Sequence, residues 1–296
     1  MRKHKHKQFA VIFAAIFVLL NLSTALNSQE DVSFTLEKVS GEVYALIGPG
    51  GSIGIFKSKD ALLVVDANYA KSAESIMAEI RKLSPLPIRY LINTHYHGDH
   101  TGGNAIIGKG AEIVSHTKCR ESFLANQKPE ESGEIPGAPQ KIYETDMTLK
   151  IGEETVKLLY FGPGHTSGDT VVVFEKAKVI HAGDLFFHGL PPYIDVRDGS
   201  DTGNWVKTIG KLAEKYPDYK VIPGHGPVTT MPDFMEFADY LRYLRGGVEA
   251  AVKAGKTKEQ TVDSIDLRSF DHIRDMGDFL TKKKNIEWIY DEMTRK

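Results

Sequence analysis

One stretch limits this chain more than any other: Thr94-His95-Tyr96-His97-Gly98-Asp99-His100-Thr101-Gly102-Gly103. It follows the apolar run Ile88-Arg89-Tyr90-Leu91-Ile92. A strand of that size, leaving a core, delivers a tight loop of imidazoles and a carboxylate at its end. His95 and His97 are two apart, so on an extended backbone they point the same way. Gly98 then lets the chain turn before Asp99 and His100. One pair is thereby able to face one metal ion and the next pair a second. Imidazole with carboxylate suits zinc and its neighbours, iron and manganese.

Three further histidine or aspartate motifs follow in order: Gly164-His165-Thr166, Gly183-Asp184 and Gly224-His225-Gly226. The set His-x-His-x-Asp-His plus these three resembles the signature of the metallo-β-lactamase superfamily, over roughly Val43 to Thr229. A lone His-x-His pair is weak; four ligand-bearing motifs in family order are specific. The resemblance implies a four-layer αβ/βα sandwich, which residue patterning alone reads only as α/β or α+β. It also implies a ligand set. His95, His97 and His165 would hold a first metal, Asp99, His100 and His225 a second, and Asp184 would bridge them. Two such ions roughly 3.5–4 Å apart share and activate a water at neutral pH and stabilise a developing oxyanion. Asp99 is the expected catalytic residue, as hydrogen-bond acceptor from the nucleophile. Asp66 resembles the family's buried aspartate at a strand end, which orients the metal loop; capping a turn is its duller role. Thr166 either bonds near the metals or starts a turn. His188, Tyr193 and Arg197 follow the bridging aspartate, where the family contacts substrate. Arg197 is suited to a substrate carboxylate or to a surface salt bridge.

The N-terminus has a different character. Arg2, Lys3, Lys5 and Lys7 precede the unbroken apolar run Phe9 to Leu20, and Ser23 and Ala25 supply small residues. This reads as a secretory signal peptide over residues 1–25, the run being short of the ~20 residues of a spanning helix. Export to the periplasm or medium follows, with no membrane attachment after cleavage. Losing four basic and no acidic residues takes the net charge from −2 to −6, which disfavours a nucleic-acid partner. Cys119 is the only cysteine, so neither an internal disulfide nor a thiolate zinc cluster is available. It reads as a small buried hydrophobe on a helix.

With 41% apolar residues the chain has enough material for a substantial core. Residues 26–34 read as a linker, 35–230 as the metal-binding domain and 231–296 as a helical C-terminal region. Strands are expected at Val43–Ile47, Ser52–Phe56 and Ala61–Val65, the last central and covered on both faces. A helix is expected over Lys71–Leu83 from its apolar spacing. Ala111–Ser115 reads as strand, Thr117–Asn126 as helix, and 127–140 as a long surface loop able to flank a site. Strands resume at Met147, with Thr170–Phe174 and Val179–His181 as a hairpin. Asp201–Lys215 reads as an amphipathic helix and Lys220–Ile222 as the last strand. Beyond Pro232, one helix shows Phe234, Phe237, Leu241, Leu244 and Val248 on one face. Thr257 to Gln260 fits a capping box, and Phe279–Met293 reads as a further helix. Three roles are open to this region: a cap, a homo-oligomer surface, or packing on the sheet. His116, His181 and His272 read as ordinary surface or core residues.

Taken together, the resemblance and the leader imply an exported hydrolase with two zinc ions, iron or manganese being alternatives. Its partner would be a small lactam, lactone or ester. One lactamase subclass has cysteine where Asp184 stands and lacks the histidine at His100; another generally lacks the bridging aspartate. Keeping both is a glyoxalase-II-like trait, so a thioester hydrolase is an alternative. A mononuclear iron persulfide dioxygenase, a phosphodiesterase and a noncatalytic metal-binding protein are the others.

Overall fold

The computed structural model describes residues 33–295. The expected signal peptide, and the linker up to residue 32, lie outside the described residues. Among the described residues, no helix is long and apolar enough to cross a membrane.

Alternation along short apolar strands decides the layers. The first sheet holds β1 (Thr35–Ser40), β2 (Val43–Ile47), β3 (Ile53–Lys57), β4 (Leu62–Val65), β5 (Ile88–Ile92), β6 (Glu112–His116) and β7 (Lys141–Tyr143), in that order. Pairing is antiparallel up to β4 and parallel from β4 to β7. Every side chain of β4 is buried. Leu63 and Val65 enter the cluster between the sheets, while Leu62 and Val64 enter the one under α1 (Ala73–Leu83). This is the central, doubly covered strand that its unbroken apolar sequence predicts. A short 3-10 turn, Ala70–Ser72, opens α1, which buries Ala73, Ile76 and Ile80.

The second sheet holds β8 (Asp146–Ile151), β9 (Glu154–Leu159), β10 (Val171–Phe174), β11 (Val179–Phe187), β12 (Lys220–His225) and β13 (Thr229–Thr230). Only β11 and β12 run parallel; the other neighbours are antiparallel. Val172 and Phe174 face the first sheet, and Val171 and Val173 face the helices on the other side. Phe56 and Phe174 meet between the sheets with ring centroids 6.1 Å apart. Each such buried side chain contributes ~1.5–3 kcal/mol.

Connecting these strands are two single turns of helix, α2 (Gly98–Thr101) and α3 (Asn104–Ile107), then α4 (Thr117–Ala125) and α5 (Thr202–Lys215). Cys119 is buried on α4, as expected. At the C-terminus come α6 (Met231–Lys253), α7 (Lys258–Ser264) and α8 (Lys282–Thr294). The face Phe234, Phe237, Leu241, Leu244 and Val248 is buried, and it shares one cluster with Trp205 of α5, Ile180 of β11 and Ile286 of α8. The capping box at Thr257 and Gln260 is formed. The layers are therefore helix, sheet, sheet, helix, the αβ/βα sandwich with a helical C-terminal region.

Several elements depart from the sequence-based expectation. β12 runs past Ile222 to His225, and β13 follows it, so Lys220–Ile222 is not the last strand; β13 is completed by pairing with β12. β7 falls where no strand was expected, because its three residues acquire partners only when β6 is already in place. β11 continues past His181 to Phe187, its register against β12 shifting between His181, Gly183 and Phe187. α8 begins at Lys282 and not at Phe279: Thr281 accepts from Lys284 N as its cap, and Met276 and Leu280 pair as an antiparallel bridge.

Candidate metal centre

Two of the parallel strand pairs, β4–β5 and β11–β12, deliver their carboxyl ends to one edge of the sandwich. Thr170 N donates to Thr94 O at 2.7 Å and Ser52 N to Gly224 O at 2.7 Å. These bonds tie the first sheet's connections to those of the second across the site. After β5 the chain turns through Asn93 and Thr94, with Asn93 and Asn104 exchanging buried amide hydrogen bonds at 3.0 and 2.9 Å. His95 and His97 follow, and α2 carries Asp99 and His100. His165 comes from the β9–β10 connection, Asp184 from the irregular part of β11 and His225 from the last residue of β12.

All seven expected donors are brought together, in two groups. His95, His97, His165 and Asp184 form one, and Asp99, His100 and His225 the other; within each group, one donor atom per residue lies within 4.8 Å of the rest. Asp184 touches both groups. Its Oδ2 is 3.5 Å from His165 Nε2 and 3.4 Å from His225 Nε2, and its Oδ1 is 3.0 Å from His100 Nε2. One glycine makes room for this carboxylate and another for the neighbouring Thr94. A Cβ on Gly224 would lie 2.0 Å from Asp184 Oδ1. Gly183 has φ +53°, and its Cβ would lie 2.7 Å from that of Thr94. The register shift between these strands re-aims Asp184 in the way β-bulges re-aim side chains.

The rings are oriented from behind. Asp66, buried, with φ +65° at the end of β4, accepts from Thr94 N at 2.8 Å, Thr94 Oγ1 at 2.7 Å and His100 Nδ1 at 2.8 Å. Since the Thr94 hydroxyl donates to Asp66, His95 Nδ1–H donates to Thr94 Oγ1 at 3.1 Å. His165 Nδ1–H donates to Tyr193 O at 2.7 Å, and His97 Nε2–H to Asp195 Oδ2 at 2.9 Å. In each ring the outward nitrogen carries the proton, and the inward one presents its lone pair. This is the arrangement by which neighbouring acceptors fix the tautomer of metal-binding histidines.

Charge makes the same point. Burial would push Asp184 up, but the imidazoles of His100, His225 and His95 hold its carboxyl well below the ordinary range. Burial opposes charge on His100 and His225 as well, yet the facing carboxylates win. Asp184, Asp99 and Asp66 raise His100 well above its ordinary value, and Asp184 and Asp99 raise His225 to about 9. His95 is driven well below the ordinary value by burial and by the His100 charge, and His165 to about 4 chiefly by burial. His95 and His165 thus offer neutral imidazoles, and His100 and His225 sit in a field that calls for positive charge. The donors fit metal ions on a direct observation. His100 Nε2 and Asp184 Oδ1 are both buried and 3.0 Å apart, yet neither has a hydrogen-bond partner. A nitrogen and oxygen donor set of this kind suits zinc.

The centre opens into a cleft of about 980 Å3. Tyr193 and Arg197 line it, Arg197 exposed. Gln127, the first residue of the expected surface loop, lines it too, with Asn126 just before it. Thr166 is buried away from the donors, its hydroxyl donating to Asp169 at 2.6 Å. His188 is not among the residues lining the cleft; its Nδ1 donates to Pro227 O at 2.9 Å. His181 is a satisfied core residue, bonded to Ser52 O. His116 is buried and stacked on Tyr160 with centroids 3.7 Å apart. Two acids had escaped the sequence reading. Asp169, which burial raises to about 7, accepts from Gly164 N and from both the amide and the hydroxyl of Thr166, shaping the turn that carries His165. The run Thr166-Ser167-Gly168-Asp169 was the turn signal that marked it. Asp195 binds His97 and the hydroxyl of Tyr96, and no motif announces it.

Comparison with known proteins agrees with this geometry. Residues 47–225 match the family model described as the metallo-beta-lactamase superfamily. The chain is 29% identical over 171 residues to metallo-beta-lactamase IND-1 of Chryseobacterium indologenes, covering 57% of this chain and 68% of that one. It is 25% identical over 226 residues to metallo-beta-lactamase type 2 of Elizabethkingia meningoseptica, covering 71% and 86%. Among solved structures, a metallo-beta-lactamase from Pontibacter korlensis superposes with a TM-score of 0.61 at 22% identity, covering 71% of this chain and 99% of that one. The sec-alkylsulfatase Pisa1 from a Pseudomonas species superposes with a TM-score of 0.70 at 15% identity over 88% of this chain, which spans 50% of the sulfatase. With more than half its length inside the family model, a sandwich of the family's form and the four motifs converged on one edge, the chain belongs to the metallo-β-lactamase superfamily.

Proposed function

We propose that the protein is an exported zinc-dependent hydrolase that opens a lactam, lactone or ester bond at a dinuclear centre. The observation that carries this reading is the convergence of seven donors in two groups sharing Asp184. His95, His97 and His165 would hold one ion, Asp99, His100 and His225 the other, and Asp184 both. When bound, two zinc ions supply an activated water at neutral pH and positive charge for a developing oxyanion. The chain's own residues do the rest. Asp99 is half-buried and borders the cleft, and its Oδ2 lies 3.3 Å from His225 Nε2. It is the carboxylate placed to accept a proton from an attacking water and to return it to the leaving group. Asp66 and Asp195 hold His100 and His97 in the tautomers described above. Arg197, at the cleft edge, is the cation that would meet an anionic group on the substrate. Export rests on the leader's composition, and the two curated relatives bearing the name metallo-beta-lactamase motivate the lactam arm of the test.

The test measures metal content of the mature protein and, on the same sample, turnover of a chromogenic cephalosporin, a lactone and an ester. Two zinc ions per chain with chelator-sensitive turnover of any of the three are expected. His97→Ala and Asp99→Ala should each lower that turnover at least ~100-fold, the scale of lost general-base or metal function, with the fold retained by circular dichroism. One iron per chain with oxygen consumption, or full activity in either variant, would remove the reading.

A further inference from the structure

The described residues expose five large hydrophobic side chains: Tyr69, Ile142, Tyr243, Met276 and Phe279. Scattered singly, such residues need no explanation. Here Tyr69, Met276 and Phe279 all line the one cleft that holds the metal donors. Met276 and Phe279 are 50% and 63% exposed, yet the backbone that carries them is firmly built. Met276 N donates to Leu280 O at 2.8 Å, Lys282 N to Asp275 Oδ1 at 2.8 Å, and Arg274 N to Gly189 O at 2.9 Å. Ile273 and Leu280 are buried anchors on either side, and Gly277, with φ +57°, closes the turn. The hairpin lies outside residues 47–225, so it is an addition to the portion of the chain that defines the family.

Aromatic rings connect this hairpin to the centre. Tyr193 lies 5.5 Å from His97 and 5.5 Å from Phe279, centroid to centroid, the latter pair stacked. Half-buried Trp288 packs edge-on against Tyr193 at 5.1 Å and lies 6.0 Å from Phe279. An apolar wall thus climbs from the imidazoles to solvent. A cleft of about 980 Å3 is at the upper end of what a drug-sized ligand fills, more than a small ring alone requires. We propose that the hairpin Met276–Leu280, with Tyr193 and Leu190, is a subsite for an extended aliphatic chain on the substrate. The scissile bond then sits over the metal donors, and the chain runs along Tyr193 to Phe279. The occupant is a chain and not a second protein surface, because the wall is one side of a concave cleft whose floor is the donor cluster itself. The assignment rests on the hydrolase reading for the scissile bond only.

Trp288 makes the subsite observable without turnover, since the other tryptophan, Trp205, is buried beside His165. Emission is followed while the purified, metal-bearing protein is titrated with butyrate or decanoate. Decanoate is expected to bind at least about tenfold more tightly, the effect of burying roughly two methylenes. Phe279→Ser and Met276→Ser should each reduce that ratio several-fold, leaving butyrate affinity unchanged. Trp288→Phe should abolish the signal. Equal affinity for both acids, or a ratio untouched by both serine variants, would overturn the subsite. So would a dimer that Phe279→Ser converts to monomer in the ultracentrifuge with the ratio unchanged, which would make the patch a face between copies. Turnover of p-nitrophenyl butyrate and decanoate separates the two readings. A binding preference without hydrolysis of either ester, or of the cephalosporin and lactone above, keeps the subsite and removes the hydrolase reading; hydrolysis without chain-length preference does the reverse.

Discussion

Asp66 shows how one side chain fixes several others. Its two oxygens hold the Thr94 amide, the Thr94 hydroxyl and His100 Nδ1 at once, so that both metal groups are oriented through it. Replacing it with Asn keeps the volume but gives up one acceptor oxygen. Asp66→Asn is expected to weaken zinc binding ~10–100-fold, the usual cost of losing such an orienting carboxylate. Competition with a chromophoric chelator reads this directly, and unaltered affinity would reduce Asp66 to a turn residue. Gly224 makes the complementary case, in which an absent side chain matters. Gly224→Ala would place a methyl 2.0 Å from Asp184 Oδ1, so the carboxylate must move. Metal content should fall while far-ultraviolet circular dichroism stays native; a fully loaded alanine variant would show that the strand yields instead.

Among the elements, the C-terminal helices do more than cover a sheet. Tyr240 of α6 donates to Asn285 Oδ1 of α8 at 2.7 Å, and Asn285 Nδ2 donates to Pro192 O at 2.6 Å, all buried. Pro192 immediately precedes Tyr193, whose carbonyl orients His165, and the same segment carries Asp195, which orients His97. Helix packing is therefore transmitted to two donors of the first metal group. Asn285→Ala leaves a buried hydroxyl and a buried carbonyl without partners, at about 1–3 kcal/mol each. Urea denaturation should show the loss of stability. Metal affinity should fall as well, for the groups it releases belong to the segment that aims His165 and His97. Stability lost with metal affinity intact would confine Asn285 to packing.

The whole molecule carries a pH signature in its metal-free form. His165 is pushed down to about 4, mainly by burial. Its folded state favours the neutral ring, so its contribution to stability is whole above the ordinary 6.5 and is lost as pH falls through about 4. His225 is raised to about 9 by Asp184 and Asp99 against burial. Its contribution is whole below 6.5 and is lost as pH rises through about 9. Chelator-treated protein should therefore lose stability on both sides of about pH 6.5. A zinc ion held by His225 would take the neutral ring in place of the proton, so the alkaline loss should shrink in zinc-loaded protein. Thermal melts across pH 4 to about 9.5, with and without zinc, test this; identical alkaline limbs would exclude His225 from the ligands.

The sequence by itself determined what short-range geometry can encode. The His95–His97 spacing, the turn at Gly98, the glycine beside Asp184 and the one beside His225 are set by neighbours in the chain, and all four motifs were legible for that reason. So were the doubly buried β4, the face of α6 and the capping box of α7, since alternation, helical period and cap chemistry are local. Only the tertiary structure decided which acids stand behind the rings and which residues wall the cleft. Asp195 meets His97 across 98 residues of chain, and no spacing rule reaches that far. Phe279 reads as a helix start from its neighbours, and nothing in the local sequence singles out Met276. They became an exposed wall because the Met276–Leu280 pairing and the buried anchors Ile273 and Leu280 hold them over the cleft. Such contacts depend on how two sheets and their helices dock, a sum over many distant partners that local pattern does not carry.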